Sequence, residues 1–483
     1  MLCSLRLASP WGVIGFAVLA IVILATFKRN RTVTLVLGCA AILSSLAALY
    51  CLAAPLAPRI AFGAMVIDGQ SVLFITIILL SSLAILLVAH GFLLDVKEPQ
   101  EEFLLALLMG TMGAMTVCAA DHFALFFMGL ETMSISMYLM IAYGKNRYFG
   151  IEAAIKYLIQ ASIAAAFLLF GMALLYAETG FLEMSKIASA LSCGAAISPL
   201  SSIGLIMMLV GIGYKLALVP FHFWAPDTYQ GAPTPTTMFI VTISKTAVFA
   251  FLLRFYFGFG EHPVVTLKLA LWTMAIASMF IGNLLALFQQ NMKRILAYSS
   301  VAHVGYFLSG MLCGAFGGFA AVFYLAVYMI SSLCALGAIS LLKAKADDPS
   351  VSDIRGLIFI RPFLASALAI SFLSFAGLPL LAGFFGKIWI VTAAIKLNAW
   401  PLAISVMAAS LIGIFYYLRI VGALFQKRAG LASGSDFTAR NKFLPVLFKQ
   451  PGYIVVALSA LLIVYVGVFP AHLFEIIHSI MMK

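Results

Sequence analysis

Charge is what this chain lacks. Asp, Glu, Lys and Arg make up 10% of its 483 residues, against roughly 25% in a soluble globular domain. With a mean hydropathy of +1.12, an ordinary soluble fold is excluded. The short alternation of apolar and polar residues that marks a membrane β-barrel is missing too. Segments such as 71–90 and 401–425 run apolar almost without interruption. In hydrocarbon such runs form helices, which satisfy their backbone groups internally.

Clustered cysteine is also missing. Cys3, Cys39, Cys51, Cys118, Cys193, Cys313 and Cys334 stand singly, with no C-x-x-C pair. The ligand pattern of an iron–sulfur or zinc site is therefore absent, and these residues read as packing groups. No cleavable leader is visible: 11–27 is followed directly by Lys28, Arg29 and Arg31, the pattern of a first anchor.

What is present is a series of apolar segments, at about 11–27, 33–54, 71–94, 103–120, 122–143, 155–177, 200–222, 236–257, 267–287, 296–313, 318–342, 361–395, 401–425 and 452–470. The fold class expected is an all-α polytopic membrane protein of about fourteen transmembrane helices. Basic residues set its orientation. Connections from odd- to even-numbered helices hold seventeen of the 29 Lys and Arg, six lie on the other side, and six lie within helices. That asymmetry makes the first set of loops cytoplasmic and both termini periplasmic. The net charge of +12 is thus an orientation signal and a contact for lipid headgroups, with no nucleic-acid partner implied.

Against this background, Lys215, Lys245, Lys387 and Glu131 are out of place, since each lies deep in an apolar stretch. A charge at bilayer depth costs about 2.5–3.5 kcal/mol on insertion scales and usually marks an ion or proton path. A row of titratable groups in a chain without a redox motif points to moving protons, not electrons. Two lysines share a context. Lys215 precedes LVPF (218–221) in helix seven, and Lys387 ends GLPLLAGFFGK (377–387) in helix twelve, where Gly377, Pro379, Gly383 and Gly386 break an overlong segment. Two broken helices five positions apart are what inverted repeats would show. The expected organisation is helices one to three (1–100), a first repeat of helices four to eight (101–260), a second, inverted repeat of helices nine to thirteen (261–430), and a cytoplasmic loop with helix fourteen (431–483).

The densest motif is KLALVPFHFWAPDTYQGAPTPTT at 215–237, followed by Lys245 in VTISKTAVF and by NMKRILAYSSVAHVGY at 291–306. Pro220 interrupts helix seven, and the prolines at 226, 233 and 235 stiffen the connection after it. Over roughly residues 100–425 the chain resembles the antiporter-like membrane subunits of respiratory complex I, the proton-translocating NADH:quinone oxidoreductase. In that family a glutamate of helix five pairs with a lysine of broken helix seven. Lysines of helices six and eight, a histidine of helix ten and a charged residue of broken helix twelve extend the polar axis. The matching positions are Glu131 in GLETMSISMY, Lys215, Lys156 in EAAIKYLIQ, Lys245, His303 and Lys387.

The resemblance is nearest to the N-type subunit, because the M-type typically carries glutamate where this chain has Lys387, and the L-type continues into a lateral helix beyond the position of Lys483. Thr132, Ser134 and Gln230 depart from the usual residues without removing a titrating group. The resemblance implies no cofactor on this chain. NADH, FMN, iron–sulfur clusters and quinone would belong to other subunits. The partners implied are the M-type subunit, the small K- and J-type subunits and the lipid bilayer, in a bacterial inner membrane. A D-type subunit of a multisubunit Na⁺/H⁺ antiporter, or a membrane subunit of a proton-pumping hydrogenase, shares the lysine axis and stands as the alternative.

Blander readings stand beside these. Glu131 also fits a structural ion pair, and Lys156 a side chain that snorkels to the headgroups. His303 also fits a hydrogen-bonded core histidine, and His222 a loop-facing donor, while Arg254 and Arg419 read as interfacial anchors. Burial disfavours a charged lysine and a nearby carboxylate restores it. A Glu131–Lys215 pair that closes and opens would therefore hold and release a proton. Ser244, Tyr298, Ser299 and Ser300 are candidate hydroxyls for its onward path.

Overall fold

The computed structural model describes residues 2–27, 29–95, 99–144, 148–192, 198–260, 263–342, 348–426 and 450–482. Lys28, Lys97, Lys145, Arg147, Lys343, Lys345, Lys427, Arg428, Arg440, Lys442 and Lys449, which carry most of the loop-charge argument, lie outside them. So do Cys193, His262, Lys483 and most of the 431–450 stretch assigned to the last loop.

The chain is a helical membrane protein. Among the described residues eleven helices are long and apolar enough to cross a membrane, or twelve if Gly452–Val468 and Pro470–Met481, bent by 93° at their junction, make one span. Of the remaining apolar segments, 296–313 falls on the helix Met292–Met311 and the two residues after it, and 361–395 is two shorter helices, Pro362–Ala376 and Ala382–Lys396. Length and apolarity alone therefore do not reach fourteen spans.

Local chemistry places several helix starts. Asn30 accepts from the amides of Thr32 and Val33, Ser198 from Ser201 with Pro199 at the first helical position, and Asn291 from Arg294. Each relieves amides that have no partner within the helix. Among the described residues one hairpin interrupts the helices. Strands Arg59–Ala61 and Met65–Ile67 pair antiparallel, with Ala61 opposite Met65 across a turn at Phe62 and Gly63.

Helices differ sharply in burial. Phe16, Leu19 and Phe27 of Ser9–Phe27, and Phe149, Ile159 and Phe170 of Tyr148–Thr179, are exposed, as suits faces turned to hydrocarbon. By contrast, every residue from 232 to 253 is buried. Gly314–Leu341 forms the hub of the second half, touching Met292–Met311, both shorter helices of 361–395, Gly452–Val468 and Gly69–Asp95. Small residues allow such closeness. A methyl at Gly113 would lie 2.7 Å from the Gly129 carbonyl oxygen of the neighbouring helix.

Candidate functional site

Both broken helices stop by the same device. Pro199–Leu216 ends at Ala217 (φ 58°), where the Leu218 amide donates to the Gly213 carbonyl at 2.8 Å. Pro362–Ala376 ends at Gly377 (φ 79°), where the Leu378 amide donates to Leu373 at 3.2 Å. A left-handed residue with this six-to-one bond is the Schellman stop. Beyond it the chain resumes as the short helix Trp224–Gly231 in the first case and as Ala382–Lys396 in the second. Gly377 and Pro379 therefore make the second break. Gly383 and Gly386, expected to share in it, lie inside the following helix. There the missing side chains admit the Ser374 carbonyl and the Tyr324 ring, which an added methyl would overlap.

Lys215 sits in the last turn of the first broken helix and is buried. Its ammonium donates to Ser134 Oγ at 2.6 Å and reaches Tyr157 OH at 3.5 Å. The Ser134 hydroxyl donates in turn to the Leu130 carbonyl at 2.6 Å. Glu131, half-buried one turn away on the same helix, is within electrostatic reach of Lys215, but the direct partner is the serine. The rings of Tyr157 and Tyr214 stand 5.5 and 5.9 Å from the ammonium, within cation–π range.

Lys245 follows a π-helical turn, Ile240–Ser244, inside the fully enclosed stretch. Such turns recur at functional sites. Its ammonium donates to Ser300 Oγ at 2.8 Å, and Tyr229 OH lies 3.2 Å from the same oxygen. His303 is buried between two tyrosines: Tyr417 OH is 3.0 Å from Nε2 and Tyr324 OH 2.9 Å from Nδ1, while Ser299 Oγ is 2.5 Å from Tyr417 OH. A neutral imidazole has one donor and one acceptor nitrogen. One tyrosine must then donate and the other accept, and passing a proton reverses both. Lys387 is buried and donates to the carbonyls of Phe375 and Ala376 at 2.9 and 3.1 Å, with the Tyr306 ring at 5.2 Å. It therefore caps the last turn of the preceding half-helix, where the dipole favours a cation.

Lys156 stands apart. It is exposed, 2.7 Å from Glu152 and 3.7 Å from Asp227. The structure thus brings Lys215, Lys245, His303 and Lys387 into one buried interior with Glu131 at its edge, and leaves Lys156 at the surface. His222 is buried at the first break with its ring 4.4 Å from that of Phe223. Arg254 and Arg419 have specific partners. Arg254 bonds Asp68 at 2.8 Å and Ser71 at 2.7 Å, and Arg419 caps the helix Val265–Leu287 through the Leu287 and Gln289 carbonyls. Gln230, one of the departures, donates to Asp348 at 2.9 Å and accepts from Arg294 at 3.2 Å. An acidic residue there would meet Asp348 with like charge.

Sequence reasoning missed Tyr324, which reaches His303 from the next helix, Tyr417, which reaches it from 114 residues away, and Lys293, counted as a loop cation but buried on the Ala232 carbonyl at 3.0 Å. Ser134 carried a signal, three residues from Glu131 on the same helix face.

Comparison with known proteins agrees with this fold. A chain of respiratory complex I from Thermus thermophilus, solved with bound aureothin, is 30% identical with a TM-score of 0.79, covering 96% of this chain and 98% of that one. A chain of a membrane-bound sulfane sulfur reductase, an archaeal respiratory membrane complex, is 25% identical with a TM-score of 0.81, covering 100% and 98%. A chain of the Mrp complex from Dietzia sp. shares the fold at 20% identity and a TM-score of 0.82, covering 99% and 97%. All three come from membrane complexes. The sequence model for the transmembrane region of the NADH:quinone oxidoreductase/Mrp antiporter proteins matches residues 120–413, well over half of the chain and the whole of the lysine–histidine interior, and to that family this protein belongs.

Proposed function

We propose that the chain is the N-type proton-translocating subunit of an NADH:quinone oxidoreductase. The observation that carries the reading is the buried set Lys215, Lys245, His303 and Lys387, each ammonium or imidazole hydrogen-bonded to a hydroxyl or carbonyl inside an apolar bundle. Loading at Lys215, transfer toward Lys245 through Ser300, passage by His303 between its tyrosines and arrival at Lys387 form the path. Glu131 acts on Lys215 electrostatically. NADH oxidation on FMN and iron–sulfur clusters and quinone reduction take place in other subunits, and this chain receives its driving force through contacts with the M-type, K-type and J-type neighbours. Fourteen spans in two inverted repeats (101–260 and 261–430), a bacterial inner membrane and periplasmic termini belong to the same reading. A reporter after Lys483 should read periplasmic and one within 427–449 cytoplasmic; the same side for both would remove helix fourteen.

The likeness to the sulfane sulfur reductase chain supports a second reading, a membrane subunit of another respiratory complex such as a hydrogenase-type one, and the Mrp antiporter part of the family model supports a D-type antiporter subunit. Proton uptake into vesicles driven by NADH separates the two. Lys215→Ala should abolish that uptake while the complex assembles. Lys215→Arg should not rescue it, because a guanidinium does not release its proton. Full uptake by the arginine variant would end the claim that Lys215 carries protons.

A further inference from the structure

The eight-residue helix Trp224–Gly231 lies between two of the buried lysines and the surface. Its inner side touches both sites. The Trp224 indole donates to the Tyr214 carbonyl at 2.8 Å, beside Lys215, and Tyr229 OH holds Ser300, which receives Lys245. Its outer side is gripped by cations from two other helices. Asp227, in its first turn, accepts from Arg294 at 2.7 Å and lies 3.7 Å from Lys156, while Lys293 donates to the Ala232 carbonyl at its far end. An acid in the first turn and a cation on the last carbonyls both match the helix dipole.

Lys156 has two carboxylates as partners, Glu152 and Asp227. Neither bond leads inward. The inward-facing group is its neighbour Tyr157, which takes the Lys215 contact. We propose that Lys156 is a fixed counter-charge instead of a proton carrier, and that with Arg294 it holds Asp227. On this view Asp227 is the positioning residue that keeps Trp224–Gly231 seated on the Lys215 and Lys245 sites. The proposal rests on the proton-translocation reading.

The test is proton uptake per NADH oxidised in membrane vesicles, normalised to assembled complex on native gels, with Lys215→Ala as control. Because surface ion pairs are weak, Lys156→Gln and Asp227→Asn should loosen the helix without unfolding the chain and lower the ratio by about two- to fivefold. Lys156→Arg should restore most of it, since guanidinium supplies the charge without a transferable proton. Arginine as low as glutamine would make Lys156 a carrier and overturn the proposal, as would a wild-type ratio for Asp227→Asn. If Asp227→Asn fails to assemble, Arg294→Lys replaces it, because lysine keeps the charge but has one nitrogen, and cannot bond Gln289 as Nε does while also bonding Asp227 and Gln230 as Nη1 does. A lowered ratio supports the clamp and a wild-type ratio overturns it. Normal uptake in Lys215→Ala would sink the proton reading itself. Uptake lost there but unchanged in Lys156→Gln and Asp227→Asn would sink only the clamp.

Discussion

The two broken helices end alike and use their lysines differently. In the first, Lys215 lies two residues before the left-handed Ala217 and points to a hydroxyl, Ser134, on another helix. In the second, the residue two before the left-handed Gly377 is Phe375, and its carbonyl receives Lys387 from the half-helix on the far side of the break. One lysine is held by a group that can itself give and take a proton. The other ties two half-helices together through oxygens that only accept. Lys215 thus makes no tie across its break, whereas Lys387 caps a buried helix end.

The largest effect on this contrast should come from Lys387→Ala. It leaves the Phe375 and Ala376 carbonyls buried without that donor, and an unsatisfied buried acceptor costs about 1–3 kcal/mol. Thermal unfolding of the detergent-solubilised protein should show a clear loss of stability beside the loss of pumping, and Lys215→Ala a much smaller loss, since Ser134 keeps its bond to Leu130. Equal destabilisation by both would break the comparison. Gly386→Ala should follow: the methyl would overlap Tyr324, and overpacking costs about 1–3 kcal/mol. Because Tyr324 also bonds His303, pumping should fall with stability; a variant as stable as wild type would show that the ring moves aside freely.

Ser134→Ala sharpens the first site. It removes the nearest partner of the Lys215 ammonium, a bond to a charged group worth about 1.5–3 kcal/mol, so uptake should drop severalfold with assembly intact. Unchanged uptake would make Glu131 the partner that matters. The smallest effect is expected from Ala217→Gly. A left-handed alanine costs roughly 1–2 kcal/mol where glycine costs little, so the midpoint of unfolding should rise slightly and uptake should not change. A fall in uptake would mean that the strained stop itself positions Lys215.

Much of this was legible in the sequence. Continuous apolar runs and the scarcity of charge bound the fold class, and lysines in such runs were conspicuous because hydrocarbon penalises them wherever the helix turns. Pro220, Gly377 and Pro379 marked the breaks because their backbone restrictions act locally. What stayed hidden was the pairing. Ser300 was a candidate hydroxyl and Ser134 stood near Glu131, but which cation each receives, and that Tyr417 and Tyr324 flank His303, follows only from how the helices pack. Lys156 and Lys293 show the same limit from the other side. Sequence position put the first within a span, where it lies but on an exposed face, and the second in a loop, yet it is buried.

By itself, then, the sequence determined the solvent of this protein, the place of its two helix breaks and the burial of Lys215, Lys245 and Lys387. These depend on residue chemistry and on φ, ψ preferences within a few neighbours. Only the tertiary structure decided which cation faces a hydroxyl, which caps a carbonyl and which reaches the surface. A helix places side chains on all sides, and the packing of one helix against another selects the side that becomes interior.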